Sequence, residues 1–252
     1  RLTHRPSPAG DRDRPSCYTT PRDTTRRHLD AAAIRRLALL VRRQIGVPAD
    51  TPAIALDDLI RETALVEING RQVAVVWDLA HPVHDESGAP VFGLCDVDPD
   101  EPDCALVSIN SAVTRGRADL ALSTAAHELG HVLFDVPQAL ACNSTYRGVA
   151  RDAASLHRAG RGAEARANEF MGALLVPPVA LHTRLLAHAR TEGLRLARGP
   201  HQGRPGSPIL AAENPADVVS GVIAALAGDF GVSERFIAVR LARYGLVQEG
   251  VR

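Results

Sequence analysis

Residues 123–136 read STAAHELGHVLFDV. His127 and His131 stand four apart, and Glu128 directly follows the first of them. On a helix, residues four apart lie one turn above each other, so the two imidazoles face one point. Neutral imidazole nitrogens bind zinc, and the intervening glutamate can act as general base on water. Zinc brings the pKa of water down to about 7, which makes hydroxide available at neutral pH. H-E-x-x-H is the pattern of zinc metallopeptidases. With 10 histidines in 252 residues, one such pattern arises by chance in roughly 2% of chains of this composition. A third ligand is therefore required before the pattern becomes a site.

One class is excluded by spacing. It needs glycine three residues and histidine six residues beyond the second histidine, where this chain has Phe134 and Pro137. The remaining common ligand is a glutamate on a later helix, and EARANEFMGALLVPP at 164–178 supplies it. Glu164 and Asn168 share one face, while Ala167, Phe170 and Leu174 form an apolar stripe. Glu164 is the expected third ligand, Asn168 is expected to orient a ligand by hydrogen bond, and the fourth position is left to water. His157 is a rival third ligand in an arginine-rich insert. Glu169 points about 100° round the helix from Asn168 and reads as a surface charge. Asp135, one turn after His131, reads equally as its orienting partner or as a solvated carboxylate. Tyr146 or a histidine is a candidate to stabilise an oxyanion. Gly130 costs its helix about 1 kcal/mol against alanine. That cost points to a close neighbour, another backbone or the substrate.

The elements that must position these groups follow from periodicity. Leu122, Ala126, Leu129 and Leu133 form an apolar stripe opposite the histidines, so the motif helix should be buried on one face. Ile34, Leu37, Leu40 and Val41 predict an earlier helix, capped by Asp30 and stopped by Gly46 and Pro48. IALDDLIRETAL predicts a shorter one. Strand patterns follow in LVEI, RQVAVVWDL, PVFGLCDV and CALVSIN. Ser108 and Asn110 end the last of these, expected as an edge strand that pairs with an extended substrate. Helices return near residue 116 and continue to the end. The expected fold is α+β, a small, mainly antiparallel sheet with two ligand-bearing helices. Its expected division is a disordered Arg/Pro-rich tail at 1–27, a catalytic domain at 28–192, a linker at 193–215 and a helical segment at 216–252. In that last segment Ala227, Gly231 and Ile237 fit helix-turn-helix spacing, with Arg235, Arg240 and Arg243 on the second helix. The alternative function is a DNA-associated regulator that uses this segment and keeps the metal domain as a sensing or structural module. Direct DNA contact is the less favoured reading, because helical hairpins that merely pack look the same.

Composition removes other classes. The chain contains no lysine, which excludes a Walker-type phosphate loop, a Schiff-base enzyme and a Ser-Lys pair. The formal net charge is zero, so bulk charge argues for neither a nucleic-acid nor a membrane partner. Cys17, Cys95, Cys104 and Cys142 show no C-x-x-C spacing and read as small hydrophobes in a reducing compartment. No apolar run is long enough for a membrane helix, and the first residues lack the apolar core of a secretory signal. The expected location is cytoplasmic.

LVSIN, HELGH, EARANEFMGALLVP and LAGDFGVSERFIAVRLARYGLV, in that order, resemble the ImmA/IrrE-type metallo-endopeptidases. The resemblance runs from about Ala31 to Val247 and is strongest across the two ligand helices. It implies a gluzincin-like zinc domain with a helical C-terminal part. It further implies Glu128 as base and His127, His131 and Glu164 as zinc ligands; manganese is kept as an alternative metal apart from the resemblance. The substrate class it implies is a protein, a helix-turn-helix transcriptional repressor. The chain departs from the family pattern at Val176, where methionine is usual, at Met171, where alanine is usual, and in the length between His131 and Glu164.

Overall fold

The computed structural model describes residues 16–18, 30–47, 52–98, 100–101, 103–142, 144–151, 162–201 and 204–248. His157 and most of the segment read as a tail lie outside the described residues. The chain divides into two compact units, Arg1–Gly46 with Ala55–Leu174, and Val47–Ile54 with Leu175–Arg252.

The first unit is built on a six-stranded sheet. Its strands are β1 (Ser16–Tyr18), β2 (Leu65–Ile68), β3 (Arg71–Asp78), β4 (Gly93–Val97), β5 (Cys104–Ile109) and β6 (Tyr146–Ala150), in the order β1-β2-β3-β5-β4-β6. β2–β3, β4–β5 and β4–β6 pair antiparallel, while β1–β2 and β3–β5 pair parallel. The fold is therefore α+β with a mostly antiparallel sheet. Two expectations change here. Ser16–Tyr18, inside the segment read as disordered, pairs with Val66–Ile68. A strand this short is held by backbone bonds and leaves no hydrophobic period to read. β5 is not an edge strand, because β3 and β4 occupy both of its sides. Ser108 pairs with Asp78 and Leu94 and is buried. Asn110 is buried too; its Nδ2 donates to the carbonyls of Val83 and Val91 at 2.8 and 2.6 Å. Both residues are internal fasteners with no backbone edge free for a substrate.

Helix α1 (Ala31–Ile45) begins at Asp30, whose side chain accepts from Ala33 N, and ends at Gly46 in the left-handed region. It buries Ile34, Leu37, Ala38 and Val41. The short α2 (Leu56–Glu62) and α3 (Ser111–Thr114) lead to the central helix α4 (Ala118–Phe134), which packs on β4, β5 and β6. Every residue from Leu120 to Phe134 is buried, so α4 is enclosed on all sides rather than on the one face its Leu stripe predicts. α5 (Val136–Ala141) and α6 (Ala163–Leu175) complete this unit, the last residue of α6 falling at its boundary. Across α4 and α6, the Phe134 and Phe170 rings meet edge to face at 5.8 Å.

In the second unit, α7 (Pro178–Thr191) packs on α8 (Ala216–Phe230), and α8 on α9 (Glu234–Arg243). Residues 193–215, read as a linker, instead hold an antiparallel hairpin of β7 (Leu196–His201) and β8 (Arg204–Leu210). Glycine and proline hide the strand period there. The hairpin is tied down by His182 Nε2 to the Pro208 carbonyl, 2.7 Å, and His201 Nδ1 to the Tyr244 carbonyl, 2.8 Å. The break between units falls at the end of α6 and not at residue 192, because α7 buries Leu181, Leu185 and Ala189 within the second unit. Among the described residues, no single helix is long and apolar enough to cross a membrane.

Gly130 lies where α4 meets α6. A Cβ placed on it would stand 2.9 Å from Ala167 Cα, so the neighbour its helix cost demanded is a backbone. Gly130→Ala would gain about 1 kcal/mol in helix propensity but force an overpacked contact costing about 1–3 kcal/mol. The clash should win, lowering the urea midpoint of unfolding. A raised midpoint would show that the two helices can part without cost.

Candidate metal centre

α4 carries His127, Glu128 and His131, all fully buried. α6 brings Glu164, whose side chain is 50% exposed. The His127 and His131 Nε2 atoms are 3.1 Å apart. His127 Nε2 lies 3.3 Å from Glu164 Oε2, and His131 Nε2 lies 3.3 Å from Glu164 Oε1. Donors bound tetrahedrally at about 2.0–2.1 Å are separated by about 3.3–3.4 Å. The three groups therefore have the spacing that a small divalent ion requires, and their N and O donor set suits one.

The outer nitrogens of both imidazoles are engaged. His127 Nδ1 lies 3.0 Å from Asn168 Oδ1. His131 Nδ1 lies 2.8 Å from Asp135 Oδ2. These contacts hold each Nδ1 outward and turn each Nε2 toward Glu164, the orientation a metal ligand needs once any proton on that nitrogen is lost. Asp135 is buried and not solvated, and its Oδ1 is paired with Arg166 Nη2. The Tyr146 hydroxyl sits 2.8 Å from His131 Nδ1 and 3.4 Å from Asp135 Oδ2. It thus stands behind His131, on the side away from Glu164, so the oxyanion role expected for Tyr146 does not match its position. Glu169 is also corrected. It is buried, and Arg35 Nε donates to its Oε1 at 2.6 Å. His81 is exposed and bonds Asp78.

Glu128 is the electrostatic anomaly. Neither carboxyl oxygen makes a well-formed hydrogen bond among the described residues; the Ala150 backbone N–H favours its charge, but burial outweighs it. Burial pushes it up to about 8, because a desolvated carboxylate loses more than a desolvated acid. Gly93 on β4 makes room for it; a Cβ there would stand 2.7 Å from Glu128 Oε1 and 2.6 Å from Thr124 Cγ2. Sequence reasoning missed Gly93, whose only signal is a glycine inside a strand pattern. A polar group buried without a partner is costly, and it fits a site that receives water or substrate.

Burial lowers His127. Burial also opposes charge on His131, but hydrogen bonds to Asp135 and Glu164 outweigh it and raise the group to about 10. Burial opposes ionisation of Glu164 as well, yet bonds from both histidines hold it well below the usual carboxylate range. With no metal bound, His131 is thus an imidazolium facing the Glu164 carboxylate.

Fold and site together define a protein of metallopeptidase type. A family model described as the IrrE N-terminal-like domain, Peptidase_M78, matches residues 117–242, half of the chain, and the chain belongs to this family. No curated protein matches it.

A metal ion must displace the His131 proton before that nitrogen can bind. The raised pKa keeps the proton in place up to about 10, so acid should weaken metal binding and base should strengthen it. Affinity should rise by about tenfold per pH unit between roughly 7 and 9 for one released proton. Zinc titrations across that range check this; an affinity independent of pH would contradict it.

Proposed function

We propose that this chain is a cytoplasmic zinc-dependent endopeptidase, with manganese as the alternative metal, that cleaves a regulatory protein of the helix-turn-helix repressor class. The observation that carries the reading is the meeting of His127, His131 and Glu164 within 4.8 Å, with Glu128 buried beside them. The repressor class rests on the sequence resemblance.

His127, His131 and Glu164 would hold the ion. A divalent ion held there supplies Lewis acidity, which lowers the pKa of water and polarises a peptide carbonyl. Glu128 moves the proton. Burial raises its carboxyl with no ion bound, and a cation held beside it would favour the carboxylate, the form a general base needs. Its carboxylate takes a proton from the attacking water and delivers it to the nitrogen of the scissile bond, which leaves as an amine. Asn168 and Asp135 hold the two imidazoles in the required orientation. Burial of the histidines and Glu128 keeps bulk water from competing.

The role of receiving an extended substrate passes from β5 to β6. Among the described residues β6 ends the sheet, its Tyr146 reaches His131, and its Ala150 pairs with Gly93, the residue that lies against Glu128. A peptide added as a strand to this edge would run along the site.

A second reading, direct DNA contact by α8 and α9, is favoured by one feature. The two helices are bent by 102° about a three-residue turn, within the range of helix-turn-helix pairs. Arg240 opposes it. One of the three arginines read on the second helix, it is fully buried, with its guanidinium 5.3 Å from the Phe236 ring centre. Arg235 is exposed and Arg243 half-buried. Phosphate neutralisation needs several free cations. DNA titration of the whole chain at low salt should give no salt-dependent binding that Arg235→Ala removes.

Glu128→Gln should keep zinc and lose about 10²–10⁴ in kcat, the span of general-base contributions. Glu164→Ala should lose zinc. Metal content by atomic emission and cleavage of a candidate repressor read the two effects apart. Full cleavage by either variant would defeat the assignment.

A further inference from the structure

Glu164 is half exposed, so packing around its own side chain cannot hold it toward the histidines. The helix that carries it must do so. Four consecutive residues of α6 are each docked. Ala167 lies against Gly130, Asn168 against His127, Glu169 against Arg35 and Phe170 against Phe134. Successive helical residues point about 100° apart, so four contacts in a row fix rotation about the helix axis. Three of the four come from α4. The fourth comes from α1, whose own position is set by its buried Ile34, Leu37, Ala38 and Val41 stripe.

We propose that Arg35 and Glu169 form a positioning pair, which sets the rotation of α6 and so holds Glu164 toward His127 and His131. The proposal rests on the assignment of those three residues as metal ligands. The pair is closed at 2.6 Å, with side chains 28% and 12% exposed, so solvent screens it less than a surface pair. A second arginine of the same helix works alongside it. Arg42 Nη1 donates to the Leu174 carbonyl at 2.8 Å, two turns along α1 from Arg35. α1 thus grips the ligand helix at its middle and at its C-terminal end. Hydrogen bonds made directly to ligating side chains tune metal affinity by about 10–100-fold; this pair acts one step further out, on the third ligand through the helix backbone, so its effect is expected at the lower end.

The test uses the full chain and the metal alone. Arg35→Gln and Glu169→Gln should each weaken zinc binding by about tenfold. The cobalt(II) form of each should show an altered visible spectrum, because the carboxylate ligand is displaced. Arg35→Lys, which keeps the cation, should retain most of the affinity. The double variant should lose less than the sum of the two singles, since both remove the same contact. Wild-type affinity in both single variants would overturn the proposal. So would weakened binding with an unchanged cobalt spectrum, which would mark the pair as general stabilisation. Should Arg35→Gln fold poorly, Glu169→Gln with its spectrum decides alone. Glu164→Ala is the control: if it binds zinc like the wild type, the ligand assignment itself is at fault, whatever the pair does.

Discussion

Gly130 and Ala167 bring two helices so close that no side chain fits between them, and the rest of the site depends on this approach. α4 supplies two imidazoles and a carboxylate from inside a core. It cannot supply the third donor, because its next turn, at Phe134, is already packed against Phe170. The third donor must come from α6, and Glu164 reaches the histidines at 3.3 Å only if the helices nearly touch. A side chain at Gly130 would separate them and open the donor triangle. The glycine lowers helix propensity at that position. The close packing and buried area it permits offset that cost.

Charge is handled in the same economical way. The buried polar groups of the first unit fall into sets. His127 is matched to Asn168, and His131 to Asp135, which Arg166 in turn balances. Glu169 is matched to Arg35. Glu128 alone in this group has carboxyl oxygens that make no well-formed hydrogen bond among the described residues. A protein core tolerates such a group at a cost, and the raised pKa is the form the cost takes. The chain has no lysine, so arginine is the cation that balances Asp135 and Glu169. Its planar fork suits buried pairing with carboxylates and carbonyls.

How much of this was legible in the sequence depended on the range of the interaction. The H-E-x-x-H spacing, the Glu164–Asn168 face, the Asp30 cap and the four central strands were readable, because each repeats with the period of its own element. Gly130 was readable as a demand for a close neighbour, but which neighbour was not. The hairpin of β7 and β8 escaped because Pro205 and Pro208 and the glycines beside them interrupt its alternation. Glu169 was misread because helical geometry says where a side chain points, and nothing local says that α1 arrives there.

By itself the sequence determined the chemistry on offer: two imidazoles one turn apart, a glutamate beside them, a second glutamate on a later helix, and no lysine to support other mechanisms. Those properties lie within single helices or in composition, where spacing alone sets geometry. Only the tertiary structure decided that β5 is interior and β6 the edge, that Asp135 is a buried partner of His131, that Tyr146 stands behind that histidine, and that Arg240 is turned inward. Each of these is a contact between elements brought together by burial of apolar surface. That force is non-directional, so strand order and the partners of buried charges emerge only when the whole core packs.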